Sequence, residues 1–295
     1  MNLNEKEGLI IKMKIAFFDV DGTLCNSYGK VLPSSIKAIR QFRAEKNLAF
    51  LCTGRSLPEI TEDIVAVGFD GIIGAGGGYI EVSNEVIYQE TMRESDVLEI
   101  INYFQKYDIG YYLESNEGLF GSGNCIDKIR EEVAKQAVKE RESFDAVDQK
   151  LYWFYELLKK YLGKPLDCKK INKISFINNT LAFNQIYRKY SNKFLIHHTT
   201  VPLFGPNSGE IAMKGLDKQR AIKQVLEYLK LTAEDAIAFG DGDNDLSMFK
   251  AVGYSIAMGN ATTRLKMVAD EITDDADEDG IQISLDKKGW LTGKV

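Results

Sequence analysis

Apolar residues follow two alternating patterns along the first quarter of the chain. Mostly apolar runs at residues 14–18, 47–52 and 71–73 are typical of short strands that are buried on both faces of a sheet. The segments 32–45 and 58–67 between them carry apolar residues at three- and four-residue spacing, which predicts helices. The resulting β-α-β-α-β order is typical of a parallel sheet with helices packed on it, so we expect an α/β fold.

The pattern changes after about residue 83 and returns near residue 213. Between these points, helix-like periods are mixed with short strand-like runs, and a helix over 219–229 then resumes the alternating order. A chain of 295 residues is also near the size, about 250–300 residues, at which one hydrophobic core divides into two. We therefore predict a Rossmann-like parallel-sheet core made of residues 1–83 and 213–295, with an α+β domain inserted at residues 84–212.

Composition and charge narrow the functional classes. The chain is 44% hydrophobic and 27% charged, and its formal net charge of −6 argues against binding to nucleic acid or to an anionic membrane. The sequence has no run of 18 or more apolar residues, and residues 1–11 lack the apolar region of a signal peptide. We expect a cytoplasmic protein with a small-molecule partner and no nucleic acid or membrane partner. Residues 1–12 are interpreted as an extension before the first strand.

Cysteine, histidine and glycine patterns argue against three further kinds of site. The four cysteines have neither metal-ligand spacing nor disulfide density, as is usual for a reduced protein. The two histidines are adjacent, at 197 and 198, so we expect neither zinc chemistry nor a histidine-activated nucleophile. Glycines at 74 and 76–78 superficially resemble a dinucleotide-binding loop, but that loop requires a following helix, whereas residues 79–82 are strand-like. We interpret these glycines as a turn or as close backbone packing.

Polar side chains follow three of the predicted strands. Asp19 and Asp21 come directly after the first strand, Thr53 after the second, and Asp241 and Asp245 after a later one. Residues two apart in a strand point to the same side, about 6–7 Å apart, so both early aspartates can reach one small ligand. The carboxyl ends of parallel strands meet at one edge of a sheet, where open α/β sheets bind their ligands. We therefore expect these five side chains to line one site.

A group of carboxylates this dense predicts a bound cation, because like charges repel one another. Oxygen ligands without histidine favour Mg²⁺, which binds through one or two carboxylates together with a substrate phosphate. Lys218, at the start of a predicted helix, is the candidate for binding that phosphate, and Lys214 is kept as an alternative. One carboxylate can act as the nucleophile, and a second can donate and accept the proton. The pattern therefore predicts phosphoryl transfer.

The chain contains four short motifs, which are Asp19-Val20-Asp21-Gly22-Thr23, Thr53-Gly54-Arg55, Lys218, and Gly240-Asp241-Gly242-Asp243-Asn244-Asp245. They resemble those of the haloacid dehalogenase (HAD) superfamily and come in the same order along the chain. The insertion between the second and third motifs resembles the type IIB cap of the Cof-type phosphatases. The resemblance covers roughly residues 13–285 and implies a HAD core with an inserted cap domain.

The resemblance implies a role for each matching residue. Asp19 would be the nucleophile that becomes phosphorylated, and Asp21 the general acid and base. The residues that bind the phosphoryl group would be Thr53, Gly54, Lys218 and Asn244. The Mg²⁺ ligands would be Asp19, the backbone carbonyl of Asp21, Asp241 and, through water, Asp245. The expected activity is a Mg²⁺-dependent phosphatase that acts on a small phosphorylated metabolite such as a sugar phosphate, as a monomer or homodimer.

Other observations leave alternatives open. Gln219 stands where the family usually has glycine, and Gly76 stands where the family often has asparagine. These two differences change the expected substrate contacts but not the chemistry. Receiver domains and phosphomutases use similar residues, although receiver domains are much shorter and lack an inserted cap. We also expect a hairpin at residues 114–120, which carries polar side chains, to face the substrate. The spacing of an EF-hand-like calcium loop is present at Asp275, Asp277, Asp279, Gly280 and Asp286.

Overall fold

The computed structural model of this protein describes residues 13–291. The interpretation of residues 1–12 as an extension lies outside the described residues, as do residues 292–295. The strands are β1 (Ile15–Phe18), β2 (Leu48–Cys52), β3 (Gly71–Gly74), β4 (Tyr79–Val82), β5 (Glu85–Gln89), β6 (Gly110–Ser115), β7 (Gly118–Gly121), β8 (Ile171–Ile177), β9 (Phe194–His198), β10 (Gly209–Met213), β11 (Ala236–Gly240), β12 (Tyr254–Ala257) and β13 (Glu271–Ile272).

The helices connect these strands. They are α1 (Pro33–Ala44), α2 (Glu62–Val65), α3 (Glu94–Lys106), α4 (Cys125–Glu140), α5 (Phe144–Asp148), α6 (Tyr152–Tyr161), α7 (Phe183–Tyr190), α8 (Lys218–Leu229), α9 (Leu246–Phe249), α10 (Thr263–Lys266) and α11 (Gly280–Lys287). None of these helices, all of which lie within residues 13–291, is long and apolar enough to span a lipid bilayer.

The larger sheet has eight strands in the order β13-β12-β11-β1-β2-β3-β4-β5. Its strands from β13 to β3 run parallel, and β1 pairs with β11 on one side and with β2 on the other. The four side chains of β1 are fully buried, because they alternate between the two hydrophobic layers that cover the faces of the sheet. The prediction of a parallel α/β core is confirmed, and β1 lies near its middle.

Strand β5 extends the larger sheet beyond the predicted limit of the core. β4 pairs antiparallel with β3, and β5 pairs antiparallel with β4. Ser83 and Asn84 form the turn between β4 and β5 with φ angles of 51° and 66°, in the left-handed region that tight hairpin turns require. The boundary predicted at residue 83 falls inside this hairpin, so the strand pairing corrects it to a position after Gln89. The division of the chain into two domains otherwise stays a prediction.

The helix predicted over residues 58–67 is interrupted. The chain forms a 3-10 turn at Leu57–Glu59, followed by extended backbone at Ile60 and Thr61, and only then helix α2. Glu59 Oε2 accepts hydrogen bonds from the backbone N–H and the Oγ of Ser56, at 2.9 and 2.8 Å, which closes the turn on itself. The prediction of one continuous helix is therefore wrong.

The smaller sheet has five strands in the order β7-β6-β8-β10-β9, and its strand pairs are antiparallel. Helices α3 and α7 cover one face, where Phe104 and Ile186 pack against apolar residues of the strands. Helices α4 and α6 cover part of the other face, where Tyr112 of β6 contacts Phe154. These elements, from α3 to β10, form the α+β unit that the sequence predicted between the two halves of the larger sheet. We call this unit the cap and the larger sheet with its helices the core.

Candidate active site

Asp19, Thr53 and Asp241 lie at one edge of the larger sheet. Each of them directly follows the carboxyl end of a strand, which is β1, β2 and β11 respectively. These three strands are parallel neighbours, and the N–H of Asp19 donates to the carbonyl of Phe239 in β11 at 3.0 Å. The structure therefore brings these side chains together at the edge where parallel sheets bind ligands.

Lys218 contacts both Asp19 and Asp245. Its Nζ lies 2.5 Å from Asp19 Oδ1 and 2.6 Å from Asp245 Oδ1, and the three side chains are buried. Burial alone would lower the pKa of the Lys218 ammonium, but the two negative charges outweigh burial and raise that pKa. Burial and the charge of Asp245 raise the pKa of Asp19, whereas Lys218 lowers it. The alternative lysine, Lys214, instead donates to the carbonyl of Asn192.

The position of Lys218 follows from the way helix α8 begins. Lys218 is the first residue of α8, and the preceding Asp217 caps the helix by accepting a hydrogen bond from the Arg220 N–H at 2.8 Å. Gly77 packs closely against the start of helix α8. A Cβ at Gly77 would lie 2.4 Å from the carbonyl oxygen of Asp217. Within the glycine-rich segment 74–78, Gly77 is therefore a position of close backbone packing, while Gly76, with a φ of +63°, lies in a turn and borders open space.

Backbone amides fix the orientation of Asp245. Its Oδ2 accepts hydrogen bonds from the N–H groups of Asp241 and Gly242, at 3.0 and 3.1 Å, while its Oδ1 faces Lys218. Gly240 leaves no room for a side chain, since a Cβ there would lie 2.7 Å from the side chain of Asp245. Asp245 is thus a rigid carboxylate that supports the ammonium of Lys218.

Asp241 packs against the turn that follows β1. Thr23 Oγ1 donates to Asp241 Oδ1 at 3.1 Å. Gly22 has a φ of +75°, and a Cβ there would lie 2.4 Å from Asp241 Oδ2, so both its backbone conformation and the space around it favour glycine. Burial and the charge of Asp245 raise the pKa of Asp241 to about 6. Gly22 of the first motif thus leaves room for the carboxylate of Asp241, which belongs to the fourth motif.

Asp19, Asp241 and Asp245 have the geometry of a metal site. One carboxylate oxygen from each lies within 4.8 Å of the other two, and within residues 13–291 these three form the one such group of His, Cys, Asp or Glu side chains. The donors are all carboxylate oxygens, which Mg²⁺ prefers. These residues therefore fit the Mg²⁺ ion that the sequence predicted. The expected contribution of the Asp21 backbone carbonyl stays a prediction.

The carboxylate of Asp21 lies outside this group and is bound by Arg55. Arg55 Nε and Nη2 donate to the two carboxylate oxygens of Asp21, at 3.0 and 2.5 Å, and Arg55 Nη1 donates to the carbonyl of Glu59 at 2.8 Å. The Asp21 side chain is 67% exposed, so this predicted acid and base lies at the open rim of the site. Arg55 had no predicted role, although its place in the second motif was a signal for one.

Three further residues were predicted to bind the phosphoryl group. Thr53 is buried, and its Oγ1 accepts a hydrogen bond from the N–H of Arg55 at 3.1 Å. Gly54 borders open space, because a Cβ there would meet nothing within 4 Å. Asn244 is exposed in the 3-10 turn Asp243–Asp245 that follows β11. The contacts of these residues with a phosphoryl group stay a prediction.

The EF-hand-like segment binds serine residues of the core instead of grouping its carboxylates. Asp277 accepts hydrogen bonds from the backbone N–H and Oγ of Ser27, and Asp279 accepts one from Ser34 Oγ. In the part of the chain that the structure describes, neither aspartate belongs to a group of side chains that could hold a metal ion. The geometry therefore does not support the calcium interpretation.

A family model for haloacid dehalogenase-like hydrolases matches residues 16–285 of the chain. The putative phosphatase YkrA of Bacillus subtilis (strain 168) is 25% identical over 278 residues, which are 94% of this chain and 98% of YkrA. Phosphatase YwpJ of the same organism is 25% identical over 285 residues, which are 91% of this chain and 97% of YwpJ. The solved structure of the HAD subclass IIB sugar phosphatase BT4131 has a TM-score of 0.69 and 22% identity, and the match covers 95% of this chain and 100% of that one. This last likeness indicates a shared fold.

Proposed function

The chain belongs to the haloacid dehalogenase-like hydrolase family and is a phosphatase, and we propose that it hydrolyses phosphomonoesters through a phosphoryl group held on Asp19. The observation that carries this proposal is the contact of Asp19 with Lys218 at the end of a fully buried strand. A carboxylate fixed in this way can face a phosphorus atom, and the adjacent ammonium can neutralise the oxygens of the phosphoryl group. The proposed substrate is a small phosphorylated metabolite such as a sugar phosphate.

In the proposed reaction, an oxygen of Asp19 forms a bond to phosphorus while the bond between phosphorus and the leaving oxygen breaks. Asp21 donates a proton to that oxygen, so the leaving group departs as an alcohol. The ionised Asp21 then removes a proton from a water molecule, which attacks the phosphorus and releases inorganic phosphate. This second step restores the free carboxylate of Asp19.

The proposed cofactor is Mg²⁺, and its ligands would be Asp19, the backbone carbonyl of Asp21, Asp241 and, through water, Asp245; carboxylate oxygens of the three grouped aspartates, Asp19, Asp241 and Asp245, lie within 4.8 Å of one another. When bound there, Mg²⁺ would neutralise charge on the carboxylates and on the phosphoryl oxygens. Lys218 holds Asp19 and Asp245 in place, while Thr23 holds Asp241. These residues supply the positioning and charge neutralisation on which phosphoryl transfer depends.

The proposed setting is the cytoplasm, with a dissolved metabolite as the partner and a monomer or homodimer as the assembly. The net charge of −6 supports the proposal that neither nucleic acid nor an anionic membrane is a partner. Size-exclusion chromatography with light scattering distinguishes the two assemblies, and a larger oligomer would contradict both.

Replacement of the nucleophile tests the proposed function. Asp19→Asn is expected to lower kcat/KM for 4-nitrophenyl phosphate in Mg²⁺ by at least about a thousandfold, because an amide cannot attack phosphorus. EDTA is expected to abolish the activity of the wild type. A matched control is Asp63→Asn, which makes the same change at an exposed position of α2 and should leave activity unchanged. Undiminished hydrolysis by a folded Asp19→Asn protein would contradict the proposal.

The natural substrate requires a screen of phosphorylated metabolites in the presence of Mg²⁺. Inorganic phosphate release is measured for sugar phosphates, nucleotides and phosphorylated cofactors, and the Asp19→Asn protein serves as the blank. A sugar phosphate is expected among the substrates with the highest kcat/KM. If nucleotides alone are hydrolysed, the proposed substrate class is wrong although the reaction type is retained.

A further inference from the structure

A second set of charged side chains lies on one face of the cap sheet. Lys173 of β8 has its Nζ 3.2 Å from Glu114 Oε2 of β6 and 2.9 Å from Glu210 Oε2 of β10. Lys173 lies directly opposite Glu114 in the strand pairing, and Glu210 lies opposite Ser175, two residues further along β8. Because opposite residues share a face, these side chains meet on the same side of the sheet. We call Glu114, Lys173 and Glu210 the cap cluster.

The cap cluster retains capacity to accept hydrogen bonds. Glu114 is 1% exposed, and its Oε1 accepts a hydrogen bond from Ser175 Oγ at 2.6 Å. Its Oε2 forms an ion pair with Lys173 but accepts no hydrogen bond, although it is buried. Burial raises the pKa of Glu114 against the lowering effect of Lys173. The ion pair with Lys173 offsets part of the cost of burying this oxygen, and the oxygen keeps a lone pair that a hydroxyl group can fill.

The cap cluster lies across from the part of the core that holds Asp21. Strand β7 of the cap contacts the 3-10 turn Leu57–Glu59 of the core, and the charge of Glu59 raises the pKa of both Glu114 and Lys173. The carbonyl of Glu59 accepts a hydrogen bond from Arg55, which binds the Asp21 carboxylate. In the proposed reaction Asp21 protonates the leaving oxygen, so this is the side on which the leaving group lies.

The net charge around the cap cluster predicts which chemical groups the leaving group can carry. Lys173 supplies one positive charge, whereas Glu210 and Glu59 supply two negative ones and Glu114 supplies a third when it is ionised. Arg55 and Asp21 pair with each other and their charges cancel, so the surroundings are net negative whether or not Glu114 is protonated. A second phosphate or a carboxylate on the leaving group would be repelled, whereas hydroxyl groups can donate to the carboxylate oxygens.

We propose that Glu114, Lys173 and Glu210 form a subsite for the leaving group, which accepts an uncharged polyhydroxylated group and rejects one that carries a second anionic group. This inference rests on the proposed phosphatase reaction and adds its substrate selectivity. Glu210 is 26% exposed and provides acceptor oxygens, while Lys173 keeps the two glutamates together on neighbouring strands. Glu114 belongs to the hairpin at residues 114–120, which the sequence predicts to face the substrate. In this proposal Glu114 is the hairpin residue that contributes to the subsite.

Three substrates separate this role from a purely structural one. They are 4-nitrophenyl phosphate, a hexose 6-phosphate and the corresponding hexose 1,6-bisphosphate, each assayed with full-length enzyme in Mg²⁺. The wild type is expected to prefer the monophosphate to the bisphosphate by at least about tenfold in kcat/KM. Glu210→Gln is expected to lower kcat/KM for the monophosphate by about tenfold, to raise it for the bisphosphate, and to leave 4-nitrophenyl phosphate within about twofold.

Matched variants show whether the change is specific. Glu117→Gln alters an exposed carboxylate that pairs with Lys170 on the same hairpin, and it should change none of the three rates. Lys173→Met should reproduce the loss on the monophosphate, and Lys173→Arg should restore most of it. Melting temperatures are measured for every variant, so that Glu210→Gln, at the more exposed position, still tests the subsite if Lys173→Met does not fold.

The outcomes separate the two proposals. Equal losses on all three substrates in a folded Glu210→Gln protein, or no change on any of them, would overturn the subsite. If the wild type hydrolyses the bisphosphate as well as the monophosphate, the subsite is wrong while the phosphatase reaction stands. If the wild type hydrolyses none of the three in Mg²⁺, the proposed function fails and the subsite fails with it.

Discussion

Two lysines, one buried in the core and one mostly buried in the cap, each lie between a pair of carboxylates. Lys218 lies 2.5 and 2.6 Å from two aspartates, and Lys173 lies 3.2 and 2.9 Å from two glutamates. In both places burial opposes the charge of the lysine, and the carboxylates outweigh burial and raise its pKa. The two sets share their chemistry, so the difference between them lies in how the protein holds them.

The core set, which is Asp19, Lys218 and Asp245, is fixed by the backbone. The cap cluster is held mainly by side chains. Asp245 is fully buried and accepts two backbone N–H groups, which leaves its short side chain one orientation. Glu210 is 26% exposed and has one more rotatable bond than an aspartate. A fixed set suits the step that all substrates share, which is transfer of the phosphoryl group. A set with more freedom suits the part of the substrate that differs from one molecule to the next.

The largest expected difference between the two sets comes from removing each lysine. Lys218→Met should lower kcat/KM by about 10²–10³ for every phosphomonoester, including 4-nitrophenyl phosphate, because Asp19 and the phosphoryl oxygens lose their positive partner. Lys173→Met should leave 4-nitrophenyl phosphate within about threefold, because that leaving group has no hydroxyls to donate. Steady-state kinetics of both variants measure this difference, and equal losses on 4-nitrophenyl phosphate would contradict the division of roles.

A smaller difference is expected from two glycines that each pack against a carboxylate. A Cβ at Gly22 would lie 2.4 Å from Asp241 Oδ2 in the core, and a Cβ at Gly205 would lie 2.2 Å from Glu132 Oε2 in the cap. Both glycines have positive φ, so each Gly→Ala variant should lose about 1–3 kcal/mol of unfolding free energy. Activity should fall about tenfold or more in Gly22→Ala alone, since Asp241 has to move away from the other predicted metal ligands.

Urea unfolding and Mg²⁺ titration of activity measure these two effects separately. Gly22→Ala should need a higher Mg²⁺ concentration for half-maximal activity, whereas Gly205→Ala should match the wild type. An unchanged Mg²⁺ dependence in Gly22→Ala would argue against Asp241 as a metal ligand.

The smallest effect is expected at the turn between the two sets. Ser56→Ala removes the hydroxyl that donates to Glu59 at 2.8 Å, and it should lower the unfolding free energy by about 1 kcal/mol. The N–H of Ser56 still donates to Glu59, so kcat for 4-nitrophenyl phosphate should stay within about twofold. Thermal unfolding and steady-state assays check both values. A large loss of kcat would indicate that this turn positions Arg55 and Asp21 more tightly than the contacts suggest.

The core set could be predicted from sequence because its residues follow strands within short motifs. Asp19 comes immediately after β1, and Asp241 comes immediately after β11, so the topology of a parallel sheet alone brings them to one edge. Lys218 could be placed because it lies at the start of a predicted helix, and the structure shows that Asp217 caps this helix. These signals are local, and local signals can be read from one chain.

The cap cluster could not be predicted, because its three residues come from strands far apart in the sequence. Glu114 and Lys173 meet only through the register of β6 against β8, which contains an irregularity next to Glu114. A shift of one residue would turn either side chain to the other face. The pairing of Arg55 with Asp21 depends in the same way on geometry, since 34 residues separate them. The break in the helix over 58–67 depended on the hydrogen bonds of Glu59 with Ser56.

The most direct test of the account is to find where the phosphoryl group resides during turnover. The wild-type enzyme is mixed with a labelled phosphomonoester in Mg²⁺, quenched in acid within the first turnover, and digested for peptide mapping. The expected result is label on the peptide that contains Asp19, and no label in the Asp19→Asn protein. Label on another residue, or full hydrolysis by Asp19→Asn without any labelled peptide, would contradict it.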